Sequence, residues 1–255
     1  MMTATNTRKK AREALTGKWG KGALIALAYI LLSVVINFIE KKFENSGALE
    51  LIVSILVIII EIPISYGFIV SFIKLKRGEE IGAFDFFKAG FDNFGRAWGI
   101  LGNTLVKMIL PIALVVISVI IIASTIGISA IGALAGNSTG SLSSLAILGI
   151  VLYFVAIIYA FVESLLYSLS NYIAYDNAEM TTKEAVEESA RLMKGKRGNL
   201  FCLELSFIGW AILSAIALCI GFFWLVPYMQ VALVCFYEEV AQKENKIESD
   251  IQSDN

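Results

Sequence analysis

Glu61, Lys107 and Glu163 are the residues of this sequence best placed to do chemistry, because each sits inside a long apolar run. An ionisable group in hydrocarbon is costly, so it tends to face a bundle interior and to pair. Counted from the ends of their runs at Ile73, Trp98 and Tyr172, the three lie roughly 13–18 Å deep at ~1.5 Å per residue. That is near the middle of a ~30 Å apolar layer. Lys107 is therefore expected to pair with Glu61, Glu163 or both. Helical spacing puts Ser54, Glu61 and Ser65 on one face, and Glu163, Tyr167, Ser170 and Asn171 on another. Tyr167 thus joins the candidate polar site. Glu204 lies close to Leu200, the start of its run, and can reach the interface. Two readings of the buried charges stay open: a polar site or ion pathway, or a packing lock between helices. Pro63, Pro111 and Pro227 also fall inside apolar runs, where proline frees a carbonyl and kinks a helix.

Other chemistries are poorly served. The chain has no histidine, which removes imidazole acid–base work, His metal ligands and Ser-His or Cys-His catalysis. Cys202, Cys219 and Cys235 have apolar neighbours and no C-x-x-C spacing, so they read as small apolar residues. No P-loop, dinucleotide fingerprint, metal-ligand cluster or nucleophile elbow is present. No enzyme activity, cofactor or metal is expected. The net charge of −1 gives no argument for nucleic acid.

The elements that must position these residues are membrane spans. Of 255 residues, 57% are hydrophobic and only 17% charged, below the ~25% of soluble domains. The apolar residues fall into long blocks. Six spans are expected, at about 23–39, 51–73, 98–122, 145–172, 200–218 and 221–237, the last two turning near Cys219–Gly221. Arg8 to Arg12 precede the first block as in a signal peptide. The block is long for one and no small-residue cleavage site follows, so it reads as an uncleaved span. With the N-terminus inside, 18 of the 21 Lys and Arg fall on the inside and only Lys41 and Lys42 outside. This predicts both termini in the cytoplasm. The Gly/Ser-rich loop from Ser124 to Ser144 carries no charge and is expected to be mobile or at the outer surface.

Inside segments carry amphipathic helices. Phe84, Phe87, Phe91 and Phe94 recur on one stripe, with Lys88, Asp92 and Arg96 off it. The stripe faces either lipid or the bundle. Thr181-Thr182-Lys183-Glu184 fits a capping box that opens a second surface helix, ending at Gly195 or Gly198. Arg8–Thr16 can form a third. Each is followed by a Gly/basic junction and a span, which suggests three parallel units of surface helix plus hairpin. Residues 1–237 read as one membrane domain, and 238–255 as an acidic, extended cytoplasmic tail.

Several segments carry a resemblance. They are Tyr167-Ser168-Leu169-Ser170-Asn171-Tyr172-Ile173-Ala174-Tyr175-Asp176-Asn177, Glu188-Ser189-Ala190-Arg191-Leu192-Met193-Lys194-Gly195, Leu203-Glu204-Leu205-Ser206-Phe207-Ile208-Gly209-Trp210, and Leu225-Val226-Pro227-Tyr228 with Phe236-Tyr237. Together with Ala11-Arg12 and Gly17-Lys18-Trp19-Gly20-Lys21, they resemble an uncharacterised bacterial integral-membrane family, a numbered domain of unknown function. The resemblance spans nearly the whole chain. Ala174-Tyr175-Asp176 departs from its Ala-Asp pattern, and the loop from Gly127 to Ser144 is longer than usual. The resemblance implies a multi-span protein of the bacterial cytoplasmic membrane and no known activity, so no catalytic residue carries over. The expected fold is all-α and polytopic. The expected role is transporter-like or accessory; the rivals are a scaffold or stress and assembly factor, and, last, a lipid-acting membrane enzyme. Membrane lipid is the expected partner, and a homo-oligomer or a membrane-protein partner stays open.

Overall fold

The computed structural model describes residues 3–134, 144–216 and 220–253. They form α1 (Ala4–Leu15), α2 (Trp19–Phe43), α3 (Ala48–Arg77), α4 (Asp85–Asp92), α5 (Phe94–Lys107), α6 (Ile109–Leu134), α7 (Ser144–Tyr167), α8 (Ser170–Asp176), α9 (Thr182–Met193), α10 (Arg197–Ile216) and α11 (Phe222–Ser253). No strand occurs among the described residues. Five segments are long and apolar enough to cross a membrane: Trp19–Phe43, Ala48–Arg77, Ile109–Ala130, Ser144–Asp176 and Arg197–Ile216. α11 joins an apolar half to a charged one.

Burial is concentrated at one end of the long helices. In α2 it covers Gly22 to Ala28, and in α3 it begins at Pro63. Farther along, Val34, Phe38, Leu51 and Ile55 are exposed. Apolar surface of this extent suits hydrocarbon rather than water. The buried ends converge with α8 and α11 on a core that includes Phe72, Ile173, Val234 and Phe236.

The short helices are built alike. α1 and α9 each have 12 residues and start on a threonine, Thr3 or Thr181, whose hydroxyl accepts from the amide three residues on. Satisfying an orphan amide in this way favours helix initiation. At Thr181 the full capping box forms, as expected from sequence. Both helices end in the same turn. Gly17 and Gly195 have φ of 75° and 77°, a left-handed conformation that glycine adopts without penalty. Lys18 and Lys196 then donate their amides back to the carbonyls of Leu15 and Met193, at 2.8 and 3.0 Å. The matching residues are 178 apart throughout, so the capped helix and its glycine turn recur at two of the three expected junctions, at Gly17 and Gly195, and not at α4.

Docking follows a rule. α1 packs on α10 and α11, α4 packs on α3, and α9 packs on α5, α7 and α8. α4 and α9 therefore dock on helices that precede them in the chain, and α1 docks on the last two. The tightest of these contacts joins α3 to α4. A Cβ on Gly67 would meet the Gly90 nitrogen at 2.6 Å, and one on Gly90 would meet the Pro63 carbonyl carbon at 2.7 Å. The two backbones touch, which only glycine permits.

Four expectations need correction. The span placed at 98–122 is two helices broken at Met108. Pro111 lies in the first turn of α6, where its missing amide is harmless but continuation from α5 is blocked. The Phe stripe is not one helix, because α4 stops at Asp92 and α5 starts at Phe94. Phe86, off that stripe, is the fully buried ring; Phe84, Phe91 and Phe94 are exposed and Phe87 is half-buried. The outer loop does not begin at Ser124, since α6 runs to Leu134; residues 135–143 lie outside the described residues. Cys219 also lies outside them, while Gly221 sits in the turn before α11. The acidic tail is not extended: Glu238 onward continues α11 as helix, held by the ion pairs described next.

Candidate functional site

The basic and acidic residues meet at the buried end of the bundle. Arg77 at the end of α3 grips Asp176 at the end of α8 with two hydrogen bonds of 2.7 and 2.8 Å, and Tyr237 of α11 donates its hydroxyl to the same carboxylate at 2.9 Å. Paired planar contacts of this kind are the strong class of ionic hydrogen bond. Lys76 pairs with Glu238. Lys10 pairs with Glu239 at 3.1 Å, and Arg191 and Lys196 both reach Glu244, at 3.0 and 3.1 Å. The first turns of the acidic half of α11 are thus tied to α1, α3 and α9.

A cavity of about 390 Å³ opens between α3, α5 and the α7–α8 break. Its polar lining comes from Glu61, Ser65, Tyr66, Thr104, Tyr167 and Asn171, set among Ile58, Ile62, Ile69 and Ile100. α7 stops at Tyr167 and α8 starts at Ser170, which turns Tyr167 and Asn171 toward α3. Ser189 of α9 repairs the gap, donating to the Leu166 carbonyl at 2.7 Å and accepting from the Leu169 amide at 3.1 Å. Ser65 is also within 3.2 Å of the Tyr29 hydroxyl. Among the described residues Glu61 has no hydrogen bond or ion pair. One carboxylate ringed by hydroxyls and an amide can accept hydrogen bonds from a cationic or polar solute. No group of metal-ligating side chains occurs among the described residues.

The expected site is only partly assembled. Glu61 and Tyr167 line the cavity together, with Ser65 and Asn171 from the two expected faces. Lys107 does not pair with Glu61 or Glu163. It ends α5 and its ammonium binds Glu187 of α9 at 2.9 Å, with both side chains substantially exposed. The hydrogen bond and the opposite charge hold Lys107 above the usual lysine range and Glu187 below the usual carboxylate range. Glu163 is half-buried one turn before Tyr167 and lines no part of the cavity. Tyr167 lies within electrostatic reach of both Glu163 and Lys107. Tyr66 and Thr104 were not singled out by sequence; neither is charged and nothing in their spacing marks them.

From sequence Arg96 is only a charge off the Phe stripe. Its guanidinium donates to three backbone carbonyls, those of Asn177, Ala178 and Met180, at 2.6 to 3.0 Å. It thereby fixes the α8–α9 loop behind the cavity. A lone arginine in the first turn of α5 gives no sequence signal for this role.

No curated protein and no solved structure matches the chain. The model of the family described as "Protein of unknown function (DUF975)" matches residues 1–244, and the chain belongs to that family.

Proposed function

We propose that this is a multi-pass protein of the bacterial cytoplasmic membrane, transporter-like or an accessory to transport, with its polar site at Glu61 and Tyr167. Six spans form three hairpins, α2–α3, α6–α7 and α10–α11, with the apolar half of α11 as the sixth crossing. Both termini are cytoplasmic. The asymmetry of Lys and Arg supports that orientation, as does the gathering of ion pairs at one end of the bundle. The protein is read as non-catalytic, consistent with a chain that has no histidine.

The observation that carries the reading is the cavity: Glu61, exposed and without a partner among the described residues, beside Tyr167 and Asn171 in a stretch of α3 otherwise apolar from Ile55 to Ile64. Ionisable groups inside membrane spans are rare and mark solute or ion paths. The test is uptake by proteoliposomes across a panel of cationic and polar solutes, with and without a proton gradient. Glu61→Gln and Tyr167→Phe are expected to fold normally and lose uptake. Uptake equal to the parent in both variants overturns the site. A scaffold role is the second reading, favoured by Lys107, whose contact with Glu187 is an exposed link between helices. It expects Lys107→Met to impair the protein while Glu61→Gln does not.

A further inference from the structure

We infer that the cleft between α1, α2 and the α10–α11 hairpin binds an anionic phospholipid, with the phosphate on Arg12 and an acyl chain among the tryptophans. The cleft has a volume of about 350 Å³ and lies away from the cavity at Glu61. Arg12 of α1 stands on its rim, and its walls are mainly Trp19, Trp210, Trp224, Leu225 and Tyr228. Trp210 and Trp224 are more than half exposed, and exposed tryptophans of membrane proteins concentrate at the bilayer interface. The Trp19 and Tyr228 rings lie 6.1 Å apart, and Phe207 meets the Tyr228 ring edge-on at 5.1 Å. Beside these rings α2 packs closely on α11, where a Cβ on Gly22 would come within 2.9 Å of the Pro227 ring.

Charge decides the occupant. Among the described residues Arg12 has no carboxylate partner, whereas its α1 neighbours Lys9 and Lys10 pair with Glu13 and Glu239. Arg8 lies one turn away. It donates to the Ser206 carbonyl at 3.4 Å, and its Nε is buried without a partner. Both guanidinium groups act electrostatically on Tyr228. Arg12 on an aromatic slot open to lipid, with Arg8 one turn away, matches a phosphodiester with its chain, and no carboxylate is among the described residues that line the cleft.

This inference rests on the membrane reading but not on the cavity. The experiment uses the full chain in nanodiscs containing phosphatidylglycerol or phosphatidylcholine with brominated acyl chains, and reads quenching of tryptophan fluorescence. Failure to enter nanodiscs refutes the membrane reading itself. In the parent, phosphatidylglycerol is expected to quench at a mole fraction about tenfold lower than phosphatidylcholine, ~1.4 kcal/mol of preference. Arg12→Gln is expected to erase that preference, while Lys88→Gln, on exposed α4 surface, keeps it. Trp224→Ala is expected to weaken both lipids, and Arg12→Lys to keep part of the preference even if Arg12→Gln folds poorly. Equal quenching by the two lipids in the parent overturns the inference. So does an undiminished preference in folded Arg12→Gln, or displacement of the lipid by inorganic phosphate at equal concentration.

Discussion

Gly67 of α3 and Gly90 of α4 meet backbone to backbone, so any side chain at either position must drive the two helices apart. Gly90→Ala is expected to lower stability by roughly 1–3 kcal/mol, the usual cost of overpacking. Gly67→Ala is expected to do the same. Gly95→Ala, whose added carbon meets nothing within 4 Å, serves as the control. Thermal unfolding in detergent reads the difference, and equal melting of all three variants refutes the contact.

Asp176 holds three helices through Arg77 and Tyr237. Asp176→Asn is expected to cost about 2 kcal/mol, because ionic hydrogen bonds are lost and Arg77 is left part-buried. Tyr237→Phe, which removes one neutral donor, is expected to cost about 1 kcal/mol. If Asp176→Asn melts with the parent, the cluster is not what joins α3 to α8.

Removal of the chain after Tyr237 takes away Glu238, Glu239 and Glu244, so Lys10, Lys76 and Lys196 lose the carboxylates they pair with and Arg191 keeps only Glu188 of those described. Truncation is therefore expected to destabilise the fold, chiefly at α1 and α9, and not merely to shed a loose end. Amide exchange in those two helices checks this. Unchanged exchange means the acidic half contributes little to the fold.

Acid is expected to loosen α9 first. Glu184 is held below its ordinary value by the Thr181 amide and hydroxyl, and Glu187 by Lys107. Their contributions are complete above the ordinary carboxylate value and vanish as pH falls through the lowered ones. Lys107 behaves oppositely, its share being lost only as pH rises through its raised value. Thr181→Ala removes the cap at a cost of about 1 kcal/mol. In that variant the α9 amides are expected to exchange faster at neutral pH and to gain less from rising pH. A pH response equal to the parent's argues against the cap.

Much of the helical layout was legible because hydropathy and capping report on it directly. The Thr181 box and the apolar runs of α2, α3, α7 and α10 are local signals, and local signals survived. The polar site was half legible. Helical spacing grouped Glu61 with Ser65 and Tyr167 with Asn171, and these four line one cavity, but their meeting across α3 and the α7–α8 break is a tertiary contact that no spacing announces. Lys107 was misplaced because Trp98 was taken as the start of a span, whereas Lys107 ends α5 and the membrane-length apolar helix begins only at Ile109. Phe86 was missed for a related reason. Its burial comes from the glycine crossing with α3, a tertiary contact that no period within α4 announces.

The docking of α1 on the last two helices brings the first and last elements of the chain together, so the fold does not depend on where the chain is opened. A circular permutant that links the end of α11 to α1 and opens the segment between Gly78 and Ala83 keeps every docking contact described above. Such a permutant is the natural probe of that independence.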